Sequence, residues 1–147
     1  MANNRAALRT GIPLIDQQHA AYFRRVDGLL ELAGRRTVVR HALQSEAVAA
    51  HNYAAEHFDA EEYLMRSVKY PAYREHVAKH NIFRNEVSVL TSSLQGNAAA
   101  DACAARLSQW FNEWMCEQIQ SDDKKLAAFI KQRTGRESHS QAAGASA

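Results

Sequence analysis

The sequence has few of the features that mark secreted, nucleic-acid-binding or membrane-spanning proteins. Its two cysteines, Cys103 and Cys116, are too few for a disulfide framework. Lys and Arg total 18 against 16 Asp and Glu, so no strong field would attract nucleic acid or an anionic membrane. No stretch approaches the ~20 uninterrupted apolar residues of a membrane span, and the N-terminus lacks the apolar core of a signal peptide. We therefore expect a cytoplasmic protein without nucleic-acid or membrane partners.

Helical periodicity runs through most of the sequence, and no segment alternates as a strand does. Hydrophobic residues make up 46% of the 147 residues, enough for one domain with a single core. Apolar residues recur every three or four positions in four long segments. Turn signals at Gly34, Tyr70-Pro71 and Gln95-Gly96-Asn97 separate these segments.

Four amphipathic helices with short connections predict an all-α fold, an up-down-up-down antiparallel four-helix bundle. We assign residues 1–133 to this bundle and expect a short C-terminal helix at Lys124 to Lys131. Residues 134–147 are rich in Gly, Ser and Ala and offer little to bury, so we expect them to be disordered.

Five side chains with metal-binding atoms fall on the apolar faces of these helices. They are His19 in the first segment, His57 and Glu61 in the second, and His76 and His80 in the third. The members of each pair are four residues apart, so they are neighbours on one helix face. Leaving a buried polar group without a partner costs about 1–3 kcal/mol. A water-bridged network would explain any one of them, but the convergence of all five favours a metal site.

Imidazole nitrogens combined with carboxylate oxygens suit iron, manganese or zinc, and iron is our leading choice. A structural zinc site needs about four ligands and commonly uses cysteine, so this larger, cysteine-free set favours two adjacent metals. The run His76-Val77-Ala78-Lys79-His80 lacks the glutamate that follows the first histidine in zinc metalloproteases, which excludes that activity. Glu62, next to Glu61, is expected to face solvent or a neighbouring helix.

Several fragments, in order, resemble the pattern of bacterial hemerythrin. They are Ile15-Asp16-Gln17-Gln18-His19, then His57-Phe58 with Glu61-Glu62 and Met65, then Tyr70-Pro71, then His76 with His80 and Phe83. The resemblance covers nearly the whole chain to Leu126. It implies a hemerythrin-like bundle with two non-haem iron ions, joined by an oxo or hydroxo bridge, and molecular oxygen as the ligand. It assigns His19 and His57 to one iron, His76 and His80 to the other, and Glu61 to both. In the family, oxygen binds at the iron that has only two histidine ligands, which here is the one with His19 and His57.

The family pattern ends with a tryptophan, a histidine four residues later and an aspartate five residues after that. Trp114 and Asp123 occupy the first and last places, and Gln118 stands where the histidine is expected. Residues 118 and 123 are about 140° apart on a regular helix, so both reach one centre only if the chain bends after Ile119. The resemblance implies Asp123 as the second bridging carboxylate. Gln118 either binds through its weaker carbonyl oxygen or turns away and leaves a coordination position open; Glu117 points about 100° away and is a poor substitute.

Two classes of function follow from the resemblance and its one departure. In the first, which we favour, the protein binds oxygen reversibly for storage, delivery or sensing, and no residue is catalytic. In the second, a di-iron redox enzyme acts on peroxide, oxygen or nitric oxide at the altered position. A redox partner protein belongs with either. A third possibility is a bundle with one metal or none that serves as an interaction scaffold.

Overall fold

In the computed structural model, the described residues, 5–33, 40–93 and 100–144, are almost entirely helical and form no strand. A short 3₁₀ helix, Arg5–Leu8, precedes α1 (Pro13–Ala33), α2 (Arg40–Ser67), α3 (Tyr73–Ser93) and α4 (Ala100–Gln118). A π-helical turn, Ile119–Asp123, then leads into α5 (Lys124–Gly144). The predicted turns at Gly34 and Gln95-Gly96-Asn97 lie outside these ranges. Within them, no helix combines the length and the hydropathy that a bilayer span requires.

Proline and a carboxylate fix the start of α1. Pro13 is the first residue of the helix, a position at which a backbone N–H is not needed. The Asp16 carboxylate accepts hydrogen bonds from the N–H of Thr10 at 2.7 Å and of Gly11 at 3.0 Å. Gly11 has a φ of 76°, a conformation that glycine adopts without strain. These contacts hold the preceding segment against the first turn and set the point from which α1 carries His19 into the interior.

A Schellman motif closes α2 just before Tyr70-Pro71, where the sequence predicts a break. Lys69 takes a left-handed φ of 52°. The N–H groups of Lys69 and Tyr70 donate back to carbonyls in the last turn of α2, at 3.2 and 2.8 Å. This tight corner places Glu61, near the end of α2, beside His76 in the first turn of α3.

The four long helices form a closed ring, because α1 and α3 each contact both α2 and α4. This arrangement confirms the predicted all-α four-helix bundle. The largest buried apolar side chains in its interior are Tyr22, Leu29, Leu43, Phe58, Phe83, Leu107, Phe111 and Met115. Burying each such side chain stabilises the fold by about 1.5–3 kcal/mol. The core therefore supplies the stability that lets polar groups lie in the same interior.

The connection from α4 to α5 is a π-helical turn, not the bend that the sequence analysis expected after Ile119. In such a turn the hydrogen bonds span five residues, and the N–H of Lys124 donates to the carbonyl of Ile119. The wider turn brings residues five apart, such as Gln118 and Asp123, toward one face, which a regular α-helix does not do. Residues 118 and 123 can thus face one centre without a break in the helix, because one of its turns is wide.

The last helix is longer than predicted, since α5 continues past Lys131 to Gly144. It is anchored near its start, where Leu126 is buried and Lys131 Nζ donates to the Thr10 carbonyl at 2.6 Å. Residues 134–144, which the sequence analysis expected to be disordered, are therefore helical. Ala, Gln, Arg and Glu favour helix without burial, and the prediction gave too little weight to this propensity. The assignment of residues 1–133 to one domain stays a prediction.

Candidate metal centre

The predicted site residues are all buried at one end of the bundle, each at most 5% exposed. His19 lies in the first half of α1, His57 and Glu61 in the second half of α2, His76 and His80 in the first half of α3, Gln118 at the end of α4 and Asp123 at the end of the π turn. Because neighbouring helices of the bundle run antiparallel, these positions meet at one level of the interior.

One group of potential metal-binding atoms combines His19, His57, Glu61 and Asp123. His19 Nε2 lies 3.2 Å from Asp123 Oδ2 and 3.2 Å from His57 Nε2. His57 Nε2 lies 3.6 Å from Glu61 Oε2 and 3.8 Å from Asp123 Oδ2. Two imidazole nitrogens and two carboxylate oxygens thus face one point between α1, α2 and the π turn.

A second group combines Glu61 with His76 and His80. Glu61 Oε2 lies 3.2 Å from His76 Nε2 and 3.4 Å from His80 Nε2. Asp123 also reaches this group, because its Oδ1 lies 3.2 Å from His76 Nε2. Its Oδ2 faces His19 instead. Asp123 therefore presents one oxygen to each histidine pair, and Glu61 lies between the pairs.

Several buried atoms of this cluster have no hydrogen-bond partner in the part of the chain that the structure describes. They are Glu61 Oε1, both carboxylate oxygens of Asp123, His80 Nε2, and the Nδ1 atoms of His19 and His76. Each unsatisfied group costs about 1–3 kcal/mol. Imidazole nitrogens and carboxylate oxygens are also the ligands that iron, manganese and zinc accept. The residues therefore fit a bound cation, which would satisfy several of these atoms at once.

The carboxylates keep their negative charge in spite of burial. Burial acts to raise the pKa of Asp123, but the surrounding histidines, His19 first, hold it well below the usual 3.8. Burial also opposes the charge of Glu61, whose pKa is nevertheless lowered, chiefly by His57. Burial opposes the protonation of His76, yet Asp123 and Glu61 raise its pKa to about 9. A proton on His76 thus balances part of the negative charge in the metal-free protein, and a cation would displace it.

Two residues outside the predicted set hold the imidazole rings. His80 Nδ1–H donates to Glu62 Oε1 at 3.1 Å, and the same oxygen accepts from the Arg84 guanidinium at 3.1 Å. His57 Nδ1–H donates to Gln18 Oε1 at 3.4 Å. A proton held at Nδ1 leaves the lone pair on Nε2, the nitrogen that faces the cluster.

Sequence reasoning did not assign these two positioning roles. Glu62 was expected to face solvent or a neighbouring helix, and the second alternative is confirmed, since it contacts His80 on α3. Gln18 entered only as part of the family motif. Each residue directly precedes or follows a predicted ligand in the sequence, and that adjacency was the one available signal.

Gln118 is 2% exposed, and its Nε2 has no hydrogen-bond partner among the described residues. Glu117, which precedes it, is exposed. The structure therefore agrees with the sequence argument that Glu117 does not replace the expected histidine.

An aromatic layer closes the cluster on the side of the apolar core. The Phe58 ring stacks on His80 with centroids 4.1 Å apart and an interplanar angle of 15°. Phe83 and Trp114 pack edge-on against Phe58, with centroids 5.3 and 5.6 Å away. These rings limit the access of water to the cluster from within the bundle.

Comparison with known proteins identifies the family. The family model described as the hemerythrin HHE cation binding domain matches residues 10–130, a range that contains both groups. No curated protein and no solved structure gives a significant match. The matched range spans most of the 147 residues, and the four-helix fold and the buried His, Glu and Asp cluster agree with it. The chain therefore belongs to the hemerythrin HHE cation-binding domain family.

Proposed function

We propose that the chain holds two iron ions in this cluster. In this proposal His19 and His57 hold one ion, His76 and His80 hold the other, and Glu61 and Asp123 bridge them. The observation that carries it is the position of Asp123, with Oδ2 3.2 Å from His19 Nε2 and Oδ1 3.2 Å from His76 Nε2. One oxygen of this carboxylate faces the first imidazole pair and the other oxygen faces the second pair. This arrangement suits two neighbouring cations better than one.

Iron is proposed because the donor atoms are imidazole nitrogens and carboxylate oxygens, with no thiolate in either group. When bound, the two ions supply the electrons and the open coordination position that reversible oxygen binding requires. Gln118 stands where the family pattern has a histidine ligand, and in this proposal its amide does not replace that imidazole as a donor. The ion near His76 and His80 is therefore held less firmly than the other.

We infer that the ligand is molecular oxygen, taken up at the ion held by His19 and His57. The protein limits the access of water to this position, because His57 is fully buried, His19 is 5% exposed and the Phe58 ring packs beside His57 with centroids 5.6 Å apart. It also contributes fixed ring orientations, through the contacts of Glu62 and Gln18 with the outer nitrogens of His80 and His57. Limited access of water and protons slows irreversible oxidation of ferrous iron and favours release of unchanged oxygen.

A redox enzyme acting on peroxide, oxygen or nitric oxide is the alternative, served by a separate redox partner protein. One observation favours it: Gln118, at the place of a histidine in the family pattern, is buried and its Nε2 has no hydrogen-bond partner among the described residues. A metal position with a ligand missing is open to substrate, as in catalytic metal sites.

Metal analysis followed by stopped-flow spectroscopy tests these proposals. Protein purified from iron-rich culture should contain two iron ions per chain. Mixed with oxygen after anaerobic reduction, it should form a coloured adduct that reverts on deoxygenation.

Immediate oxidation to the diferric state would contradict oxygen carriage, and saturable peroxide turnover would then favour the enzyme. Protein without stoichiometric metal would contradict both functions and leave an interaction scaffold. The variant Asp123→Asn is a suitable comparison, because it keeps the size of the side chain and removes the charge that bridges the two histidine pairs.

A further inference from the structure

We propose that the metal position at His76 and His80 takes a small anionic ligand of its own, which enters through a cavity beside Gln118. This inference rests on the proposed di-iron function. It starts from what the two histidine pairs share: Glu61 lies between them, and Asp123 presents one oxygen to His19 and the other to His76. Each position thus has two imidazoles and two shared carboxylates, fewer donors than a six-coordinate ion takes. The position at His76 and His80 is therefore also short of protein ligands.

Gln118 is placed to act on whatever fills that vacancy. The π turn brings it toward the face that carries Asp123, and it is 2% exposed. Its Nε2 donates no hydrogen bond to any described residue. A buried amide N–H without an acceptor costs about 1–3 kcal/mol, and a ligand with an acceptor atom would remove that cost.

A cavity of about 190 Å³ borders Gln118 on the side away from the core. It lies between α3 and the end of α4, lined by Lys79, Ile82, Trp114, Glu117, Gln118 and Ser121. Since one water occupies about 30 Å³ of liquid volume, the space admits a small anion with several waters. The cavity thus offers a route from solvent to the amide of Gln118.

The polar groups at the cavity bear on the choice of ligand. Lys79, 46% exposed along its side chain, is paired with the Asp122 carboxylate, and the acidic Glu117 also lines the wall. Trp114 and Ile82 supply apolar surface. The wall thus has no net positive charge, and the preference for an anion of a few atoms with hydrogen-bond acceptors comes from the amide donor of Gln118 and the cationic metal.

The other metal position has a separate approach. A cavity of about 500 Å³ borders His19 and is lined by residues of the N-terminal segment and α1, among them Arg9 and Arg24. None of its lining residues belongs to the cavity beside Gln118. The two cavities are therefore separate, and a ligand in one need not pass through the other.

Azide titration of the iron-loaded, oxidised protein tests the inference. Iron is first counted per chain, and binding of sodium azide is then followed by calorimetry and by visible charge-transfer spectra. We expect wild-type protein to bind two azide ions per chain. The variant Gln118→His should bind one, because the new imidazole occupies the vacancy.

A cavity-filling variant tests the route. Ile82, 51% exposed, lines the cavity, and Ile82→Trp should slow one of the two azide-binding phases severalfold without changing iron content. Val89→Trp is the matched control, since Val89 is exposed on the same helix outside the cavity, and both phases should keep their wild-type rates.

Wild-type protein that contains two iron ions and binds one azide would overturn the inference and leave the di-iron proposal intact. Two azide ions bound to Gln118→His would exclude a vacancy at residue 118. Equal rates in Ile82→Trp and Val89→Trp would exclude the cavity as the route. Protein without iron would instead refute the proposed function itself.

Discussion

At the scale of single residues, the histidines of the cluster differ in the groups that their Nδ1 atoms contact. His80 Nδ1 faces the charged carboxylate of Glu62, whereas His57 Nδ1 faces the neutral amide oxygen of Gln18 at a longer distance. An anionic acceptor at Nδ1 raises the electron density at Nε2 and fixes the ring, so the imidazole binds a cation more strongly. Glu62 is therefore a positioning residue for His80.

Replacing Glu62 should weaken the metal position that contains His80. We expect Glu62→Ala to lower iron affinity by about 10- to 100-fold in competition with a chelator, the usual effect of losing such a partner. Glu62→Gln should restore part of it, because an amide oxygen still accepts the Nδ1–H. Asp59→Asn is the control, since Asp59 contacts Arg84 at 3.2 Å and lies exposed away from the histidines. Equal affinities in Glu62→Ala and Asp59→Asn would refute the role of Glu62.

Restoring an imidazole at position 118 should strengthen iron retention. Under dialysis against a chelator, wild-type protein should lose its iron in two phases, one for each metal position. In Gln118→His the fast phase should disappear, because imidazole is a better donor than an amide oxygen. Unchanged kinetics would mean that residue 118 is not where the metal is held weakly.

Residue spacing was sufficient to find His19, His57, Glu61, His76 and His80, which the structure brings together as expected. Their spacing of four on a helix, amid apolar neighbours, is a local signal that one chain contains in full. The contact between Glu62 and His80 joins two different helices and has no such signal. Asp123 was located only through the family resemblance, since its distance of five from Gln118 conflicts with a regular helix.

Among the elements, the π turn most directly shapes the site. It takes up one more residue than an α-helical turn, so Asp123, five residues after Gln118, faces the way that the fourth residue would in a regular α-helix. Asp123 is the last residue of this turn, and it is 1% exposed between the histidine pairs. The turn therefore determines whether the second carboxylate points into the bundle.

Insertion of one alanine after Gln120, an exposed residue of the π turn, tests this dependence. The wide turn already takes up one added residue, so a second one should rotate Asp123 by about 100° away from His19 and His76, and iron should fall below two ions per chain. Circular dichroism should show that helix content is retained. Gln120→Ala keeps the length of the turn and should bind iron as wild type does. Full iron content in the insertion variant would show that the length of the turn does not set the position of Asp123.

Helices were predictable at this scale because their apolar period repeats over many residues, as in α1 and α3. A π turn changes the period once, over five residues, and a periodic pattern cannot report a single change of phase. The length of α5 was underestimated for a different reason. Its later residues carry few apolar side chains, so an apolar period cannot mark where the helix ends, whereas their helix propensity is favourable.

For the whole molecule, the buried charges link stability to protonation. In the metal-free protein the pKa of His76 is raised from 6.5 to about 9, because Asp123 and Glu61 outweigh the effect of burial. Its contribution to stability is therefore fully present below pH 6.5 and is lost as the pH rises through about 9. The lowered pKa of Asp123 acts in the acidic range. The contribution of this carboxylate to stability is present above pH 3.8 and is lost as the pH falls through its pKa in the folded protein.

Urea denaturation of the metal-free protein should accordingly show a free energy of unfolding that decreases between pH 6.5 and about 9. Iron-loaded protein should be more stable and should not show this decrease, since the metal replaces the proton on His76. His76→Gln should remove the alkaline decrease in the metal-free protein. A decrease of the same size in that variant would assign it to another group.

The contact between His19 and Asp123 joins residues from the first long helix and from the segment that follows the fourth. On the ribosome, a nascent chain exposes the imidazoles of α1, α2 and α3 well before Asp123 leaves the exit tunnel. Those imidazoles can meet ions singly but cannot complete the quartet around His19 and His57. Completion of this quartet thus waits for synthesis to pass Asp123, and a translation product that stops within α4 lacks one of its four side chains.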